Sequence, residues 1–126
     1  MARISVERDA AKNLVVFSVD GELRADDMVE HYRRAMADTP ADNLIWDMTS
    51  AELGSLGVPD LKSVADAVAE VGPVRTAPKT AFVVDRFEQG VLLKLYRDIS
   101  TLSGIPTDFR LVETREEALA WFDGKT

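Results

Sequence analysis

Apolar and polar residues alternate over RISVERD (residues 3–9), with Ile4 and Val6 on one side and Arg3, Ser5 and Glu7 on the other, which predicts a half-buried edge strand. AAKN then reads as a short turn. NLVVFSVDG (13–21) is a stronger strand that stops at Gly21, and the pair predicts an antiparallel hairpin. The period then changes. RADDMVEHYRRAMADTP (24–40) places Met28, Tyr32, Ala35 and Met36 on one helical face; Asp26 or Asp27 can cap its start, Asp27-x-x-Glu30 has the form of a capping box, and Pro40 ends it. NLIWDM (43–48) is a short, nearly continuous apolar run, as a central strand covered on both faces requires.

The alternation of types continues to the end of the chain. VPDLKSVADAVAEVG (58–72) predicts a helix with Pro59 in its first turn, Leu61, Val64, Val68 and Val71 as its stripe and Gly72 as its stop. TAPKTAFVVD (76–85) predicts another buried strand. FEQGVLLKLYRDISTLSG (87–104) predicts a third helix with Leu92, Leu95, Tyr96, Ile99 and Leu102 inward and Gly104 as terminator. DFRLVE (108–113) is the last strand, and TREEALAWFDG (114–124) a short helix capped by Thr114, with Glu117 completing a capping box. The order ββαβαβαβα implies an α/β fold: a mixed five-stranded sheet packed with about four helices, its first strand antiparallel to the others and its crossovers right-handed. At 126 residues, without repeats or long linkers, the chain is expected to form a single domain over 1–126.

Composition narrows the chemistry. Without cysteine there is no thiol nucleophile or thiolate metal site, and with His31 as the single histidine no His-rich metal centre can form. The net charge of −7 argues against nucleic acid, whose phosphates need clustered Lys and Arg, and against anionic lipid surfaces. No apolar run approaches the roughly 20 residues that span a bilayer, and the charged start MARISVERDAAKN does not read as a signal peptide. These features point to a cytoplasmic protein with no membrane insertion. No GxGxxG or GxxxxGK[ST] turn is present, so a nucleotide cofactor is not expected, nor is any other cofactor.

In a fold of this class a site belongs beyond the carboxyl ends of the parallel strands. There the sequence collects the polar stretch WDMTSAELGSL, whose candidates are Asp47, Thr49, Ser50 and Ser55, together with Asp85 at the end of the next strand. Asp47 and Asp85 could act together as an acid–base or Mg²⁺-binding pair, but the reading favoured by aspartates that end strands is that each accepts the amides of its own turn. His31 borders the apolar stripe of the first helix with no nucleophile placed beside it, and Trp46 and Trp121 fit core positions. Leu93 projects about 100° from Leu92 on the third helix, away from most of the stripe, and Val91 borders the stripe on its other side, so the two are candidates for a partner or self-association surface. Met28, Tyr32, Met36 and Tyr96 could line a pocket for a small apolar or lipid-like ligand, or could fill the core.

The segments VVFSVDGELRADDM, NLIWDMTSAEL, KTAFVVDRFEQGVLLKLYRDIS and FRLVETREEALAWF, in this order and spacing, resemble the SpoIIAA-like, STAS-like bacterial proteins of unknown function. The resemblance covers nearly the whole chain and implies a mixed sheet wrapped by helices and no established catalytic activity. STAS domains of the anti-sigma-factor-antagonist type carry a phosphorylated serine in a pattern like D-x-S-x-V-x-F-x-D-S-S-G. Asp47 matches its first aspartate and Ser50 lies one place from its first serine; Ser55 falls on the second aspartate, and Leu56 and Gly57 occupy the two serine positions. The phosphoacceptor is missing at its matched place, so the switch is not carried over. Three functions follow as expectations: a non-catalytic regulatory or protein-interaction domain, with another protein or a second copy as partner; a binding module for a small apolar ligand; and a metal-assisted enzyme using Asp47 and Asp85.

Overall fold

The structure, a computed structural model, describes residues 2–71, 78–102, 104 and 108–124. β1 (Arg3–Asp9) and β2 (Leu14–Glu22) pair antiparallel across a single 3₁₀ turn at Ala10–Lys12. Asn13 closes this turn with φ 53°, a left-handed conformation that asparagine tolerates better than most residues. There follow α1 (Ala25–Asp38), β3 (Asn43–Glu52), α2 (Val58–Val71), β4 (Lys79–Val83), α3 (Phe87–Leu102), β5 (Asp108–Val112) and α4 (Arg115–Phe122). The sheet order is β1-β2-β3-β4-β5, and every pairing after the first is parallel. This is the mixed five-stranded sheet with four helices that the alternating pattern predicts.

Side-chain alternation divides the two faces. Val15, Phe17 and Val19 of β2, Leu44, Trp46 and Met48 of β3 and Phe82 of β4 point to one face, where α1, α2 and α3 cover them with Met28, Tyr32, Leu61, Val64, Leu93 and Tyr96. Phe17 stacks on Trp46 with ring centroids 4.1 Å apart. Leu14, Val16, Ile45, Ala81, Val83 and Val112 point to the other face, where among the described residues α4 alone packs, through Ala118, Leu119, Trp121 and Phe122. Sequential strand order with crossovers of one hand places the three connecting helices side by side, and the terminal α4 takes the free face.

Two boundaries differ from the sequence pattern. β3 continues through Thr49, Ser50 and Ala51 to Glu52, because Asp20, Gly21 and Glu22 of β2 pair with Ser50, Ala51 and Glu52 after a register shift between Ser18 and Asp20. WDMTSAE is therefore strand throughout, and the exit loop begins only after Glu52. α1 has Arg24 at its N-cap with no side-chain cap; Asp26 and Asp27 lie inside its first turn, where they favour the positive end of the helix dipole. The capping box at α4 does form: Glu117 N–H donates to Thr114 Oγ1 at 3.1 Å, while Glu117 Oε2 accepts from the neighbouring Glu113 N–H at 3.3 Å. Gly72, expected to stop α2, lies outside the described residues, as do Thr76 and Ala77 at the start of the expected fourth strand.

Candidate functional site

Asp47 stands on β3 facing the α4 side, where its carboxylate is fully engaged. Thr49 is two residues on, on the same face of the strand, and donates to Asp47 Oδ1 from its hydroxyl at 2.7 Å and its amide at 3.1 Å. Arg115, at the first position of α4, donates from Nε to Asp47 Oδ2 at 3.0 Å and from Nη2 to Ser18 Oγ at 2.7 Å. Burial alone would raise the Asp47 pKa, but the Thr49 hydroxyl and amide and the Arg115 guanidinium outweigh it, so the carboxyl is held below its ordinary value. An aspartate held ionised by an arginine and a threonine is a structural tie between β3, β2 and α4. It is poorly suited to accept a proton near neutral pH.

The other candidates of the polar edge separate. Asp85 lies beyond β4, exposed, with Arg86 Nε 3.8 Å from its Oδ1. Its partner is thus different from those of Asp47, and among the described residues no group of three or more His, Asp or Glu side chains could hold a metal ion. Ser50 is exposed and paired in register with Asp20. Ser55 is exposed in the loop before α2 and donates from Oγ to Glu22 Oε1 at 2.6 Å, which lowers the Glu22 pKa. At the two positions matched to the STAS serines, Leu56 packs partly buried against the core, and the Gly57 amide is capped by Asp60 Oδ2 at 2.8 Å. His31 lies half-buried on α1 with Nδ1 2.8 Å from the Asp27 carbonyl, its own preceding turn.

The candidate ligand pocket is filled. Met28, Tyr32, Met36 and Tyr96 are all buried core residues. The space left beside Met28, Tyr32 and Tyr96 is about 20 Å³, enough for one water and far too small for a lipid. Met36 does not line it. All four belong to the same core cluster as Phe17, Trp46 and Phe82.

α3 carries the largest correction. Leu93, expected to be exposed, is 3 % exposed and lies in the core beside Tyr96. The helix is rotated from the expected phase: Gln89, Leu93, Tyr96 and Ser100 face inward, and Leu95 and Leu102, expected inward, face out. Gln89 sets this rotation. Its buried amide donates to the Met48 carbonyl at 2.6 Å and the Ala51 carbonyl at 3.0 Å, and its Oε1 accepts from the Asp85 amide at 3.3 Å. Arg86 adds a further bond to the Ala51 carbonyl. These contacts fasten the start of α3 to the end of β3.

The rotation leaves an apolar stripe on the outside. Phe87 is 85 % exposed, Val91 53 %, Leu95 39 % and Leu102 89 %. At about 100° per residue they fall within one quadrant of the helix. Phe87 and Val91, with Gly90 and Lys94, form one wall of an open groove of about 740 Å³ whose other wall is Leu111, Val112, Glu113 and Thr114 at the end of β5. Val91 was within reach of sequence reasoning; Phe87 and Leu95 were missed, although the recurrence Phe87, Val91, Leu95 every fourth residue was there to be read.

One antiparallel strand beside four parallel ones in sequential order, three helices on one face and a terminal helix on the other, make this a SpoIIAA-like fold. Two solved structures share it over nearly the full length of both chains. One is an uncharacterized DUF3478-family protein with a SpoIIAA-like fold from Shewanella loihica PV-4, at 17 % identity and TM-score 0.62, with 96 % of this chain and 93 % of that one covered. The other is an anti-sigma factor antagonist from Mycobacterium paratuberculosis, at 21 % identity and TM-score 0.63, with 98 % and 95 % covered. No protein-family model and no curated protein matches the sequence. Among the described residues no helix is long and apolar enough to cross a membrane.

Proposed function

We propose that this chain is a non-catalytic regulatory domain of STAS type that acts in the cytoplasm by binding another protein. The observation that carries this is the exposed apolar stripe of α3 beside the groove at β5. Four large apolar side chains within one quadrant of one helix, rimmed by Lys94 and Glu113, have the composition of a recognition patch, whereas scattered surface leucines do not. The fold shared with an anti-sigma factor antagonist favours the same reading. The engagement of Asp47 by Arg115 and the separate partner of Asp85 weigh against the metal-assisted enzyme, and the filled core weighs against the apolar-ligand module.

The test is isothermal titration of the purified chain against the proteins encoded beside its gene, with a sigma-factor regulator or kinase as the first choice. Binding is expected, and Val91→Glu should weaken it at least about tenfold, the effect of truncating or charging a residue inside an interface. Binding that ignores Val91→Glu and Phe87→Glu alike would remove the stripe from the account.

A further inference from the structure

We propose that the open edge of β1 is a self-association surface, to which a second copy of this chain adds antiparallel about a two-fold axis at Val6, setting Arg3 of each copy against Asp9 of the other and joining the two sheets. This edge lies at the opposite end of the sheet from β5 and is independent of the α3 stripe. β1 is the first strand of the sheet and has β2 on one side. The Asn13 carbonyl accepts from the Asn43 amide at 3.0 Å, across to β3. The two groups of a trans peptide point in opposite directions, so the Leu14 amide turns toward β1, and the alternate residues Val16 and Ser18 follow it. Their partners in register are Asp9, Glu7 and Ser5, which therefore direct their backbone groups inward to β2. Ile4, Val6 and Arg8 alternate with these and present N–H and C=O outward, a ready template for another strand.

The side chains select the register. Antiparallel addition bonds outward-directed residues to one another, so a pairing near the middle of the strand has its axis at Ser5, Val6 or Glu7. An axis at Glu7 sets that carboxylate opposite its own copy, a like-charge pair that destabilises a sheet. An axis at Ser5 sets Arg3 against Glu7, which already stands 3.8 Å from Arg115 Nη1, and leaves Asp9 past the end of the copy's strand. An axis at Val6, the middle residue of β1, pairs the strand over its whole length. On the helix face Val6, 45 % exposed, then meets Val6 of the copy. Ile4 comes opposite Arg8, whose guanidinium is held toward α1 by the Thr39 carbonyl at 2.7 Å, so its methylenes are left for contact. On the α4 face Arg3 comes opposite Asp9, twice by symmetry. That pair is of the non-hydrogen-bonded kind, in which facing side chains approach most closely. Among the described residues neither Arg3 nor Asp9 has an ion pair or side-chain hydrogen bond within its own chain.

The second copy also accounts for the groove beside this edge. A strand of seven residues spans about 24 Å, too little alone for the roughly 800 Å² that each partner of a stable interface buries. Ile4, Val6 and Ala35 line an open groove of about 580 Å³ between β1 and α1, rimmed by His31, Arg34 and Asp38. A two-fold axis normal to the sheet keeps both α1 helices on the same face. Ile4 and Val6 of the copy therefore continue the apolar floor, and its α1 closes the far side and supplies the missing area.

Sedimentation of the full chain over a concentration series tests this. The mass should rise from 13.9 kDa to twice that value. Val6→Lys sets a charge opposite its own copy and should raise the dimer dissociation constant at least about tenfold. Arg3→Asp should weaken the dimer likewise, and Arg3→Asp combined with Asp9→Arg should restore it. Arg3 also faces Asp20 within its own hairpin, but Asp9 stands about 20 Å away at the other end of the strand, so rescue by Asp9→Arg identifies the second copy. Thermal melts confirm that each variant is folded, and if Val6→Lys fails to fold the charge exchange decides. A monomer at every concentration, a dimer that ignores Val6→Lys, or a loss at Arg3→Asp that Asp9→Arg does not restore, overturns the proposal. A dimer that Val91→Glu breaks and the β1 variants spare places self-association on α3 and overturns it too. A monomer that still binds a different protein through Val91 overturns the self-pairing and leaves the protein-binding reading standing.

Discussion

At the scale of single residues, the polar groups that draw attention in the sequence are the most tied down. Asp47 is the clearest case, because its carboxyl is held below the ordinary value by Thr49 and Arg115 against the opposing effect of burial. A carboxyl whose pKa falls on folding contributes stability that is present above its unfolded value of about 3.9 and is lost as pH falls through the folded value. Asp47→Asn should therefore destabilise the protein at pH 7 by about 1 kcal/mol, the range for one charge-assisted bond in a half-screened pair. The difference from wild type should shrink in urea titrations as the pH is lowered below 4, and a constant difference down to pH 2 would refute the ion pair. Ser55 is the contrast: its bond to Glu22 is exposed, and Ser55→Ala should change stability by less than about 0.5 kcal/mol.

At the scale of elements, α3 shows where sequence patterning succeeds and where it misleads. Helix, strand and order are legible because each element has the right period and a stop nearby. The phase of α3 is not, because its core face carries Gln89 and Ser100 while its outer face carries Phe87, Val91, Leu95 and Leu102. A buried glutamine is satisfied by carbonyls of β3, which lie far away in sequence and leave no local mark. The length of β3 was hidden for a similar reason: Thr49 and Ser50 look like a loop until β2 pairs with them. Asp47 could be placed on its strand from sequence, but its partner Arg115 lies 68 residues on and is brought there only by the packing of α4. The phase of α3 is directly testable. Leu93→Glu should cost about 3 kcal/mol or more in chemical denaturation, by burying an unpaired charge in the core. Val91→Glu, two residues earlier, should cost less than about 0.5 kcal/mol. Equal losses would contradict the observed rotation.

At the scale of the whole molecule, the sheet is insulated unequally. Among the described residues three helices cover one face, and α4 alone occupies the other, above β3, β4 and β5. The rest of that face, around Arg3, Ser5, Ser18 and Asp20, is a shallow polar hollow. β3 is paired on both sides and covered on both faces, whereas β1 is paired on one side. In the monomer, native-state hydrogen exchange should accordingly find the slowest amides in β3 and faster ones in β1; protection in β1 equal to that in β3 would show that the hollow does not weaken the edge. The α3 stripe lies at the opposite end of the sheet from this hollow, so charge changes at Arg3 should leave binding at that stripe unaltered.

The sequential strand order has one more consequence, for synthesis. Each new strand pairs with the strand made just before it, so no strand has to wait for a distant partner strand to emerge. β1 to β3 with α1 can assemble while the remainder is still in the ribosome, each later strand–helix unit docking on a finished edge. The growing edge stays open until β5 is laid down, and β5 then inherits it.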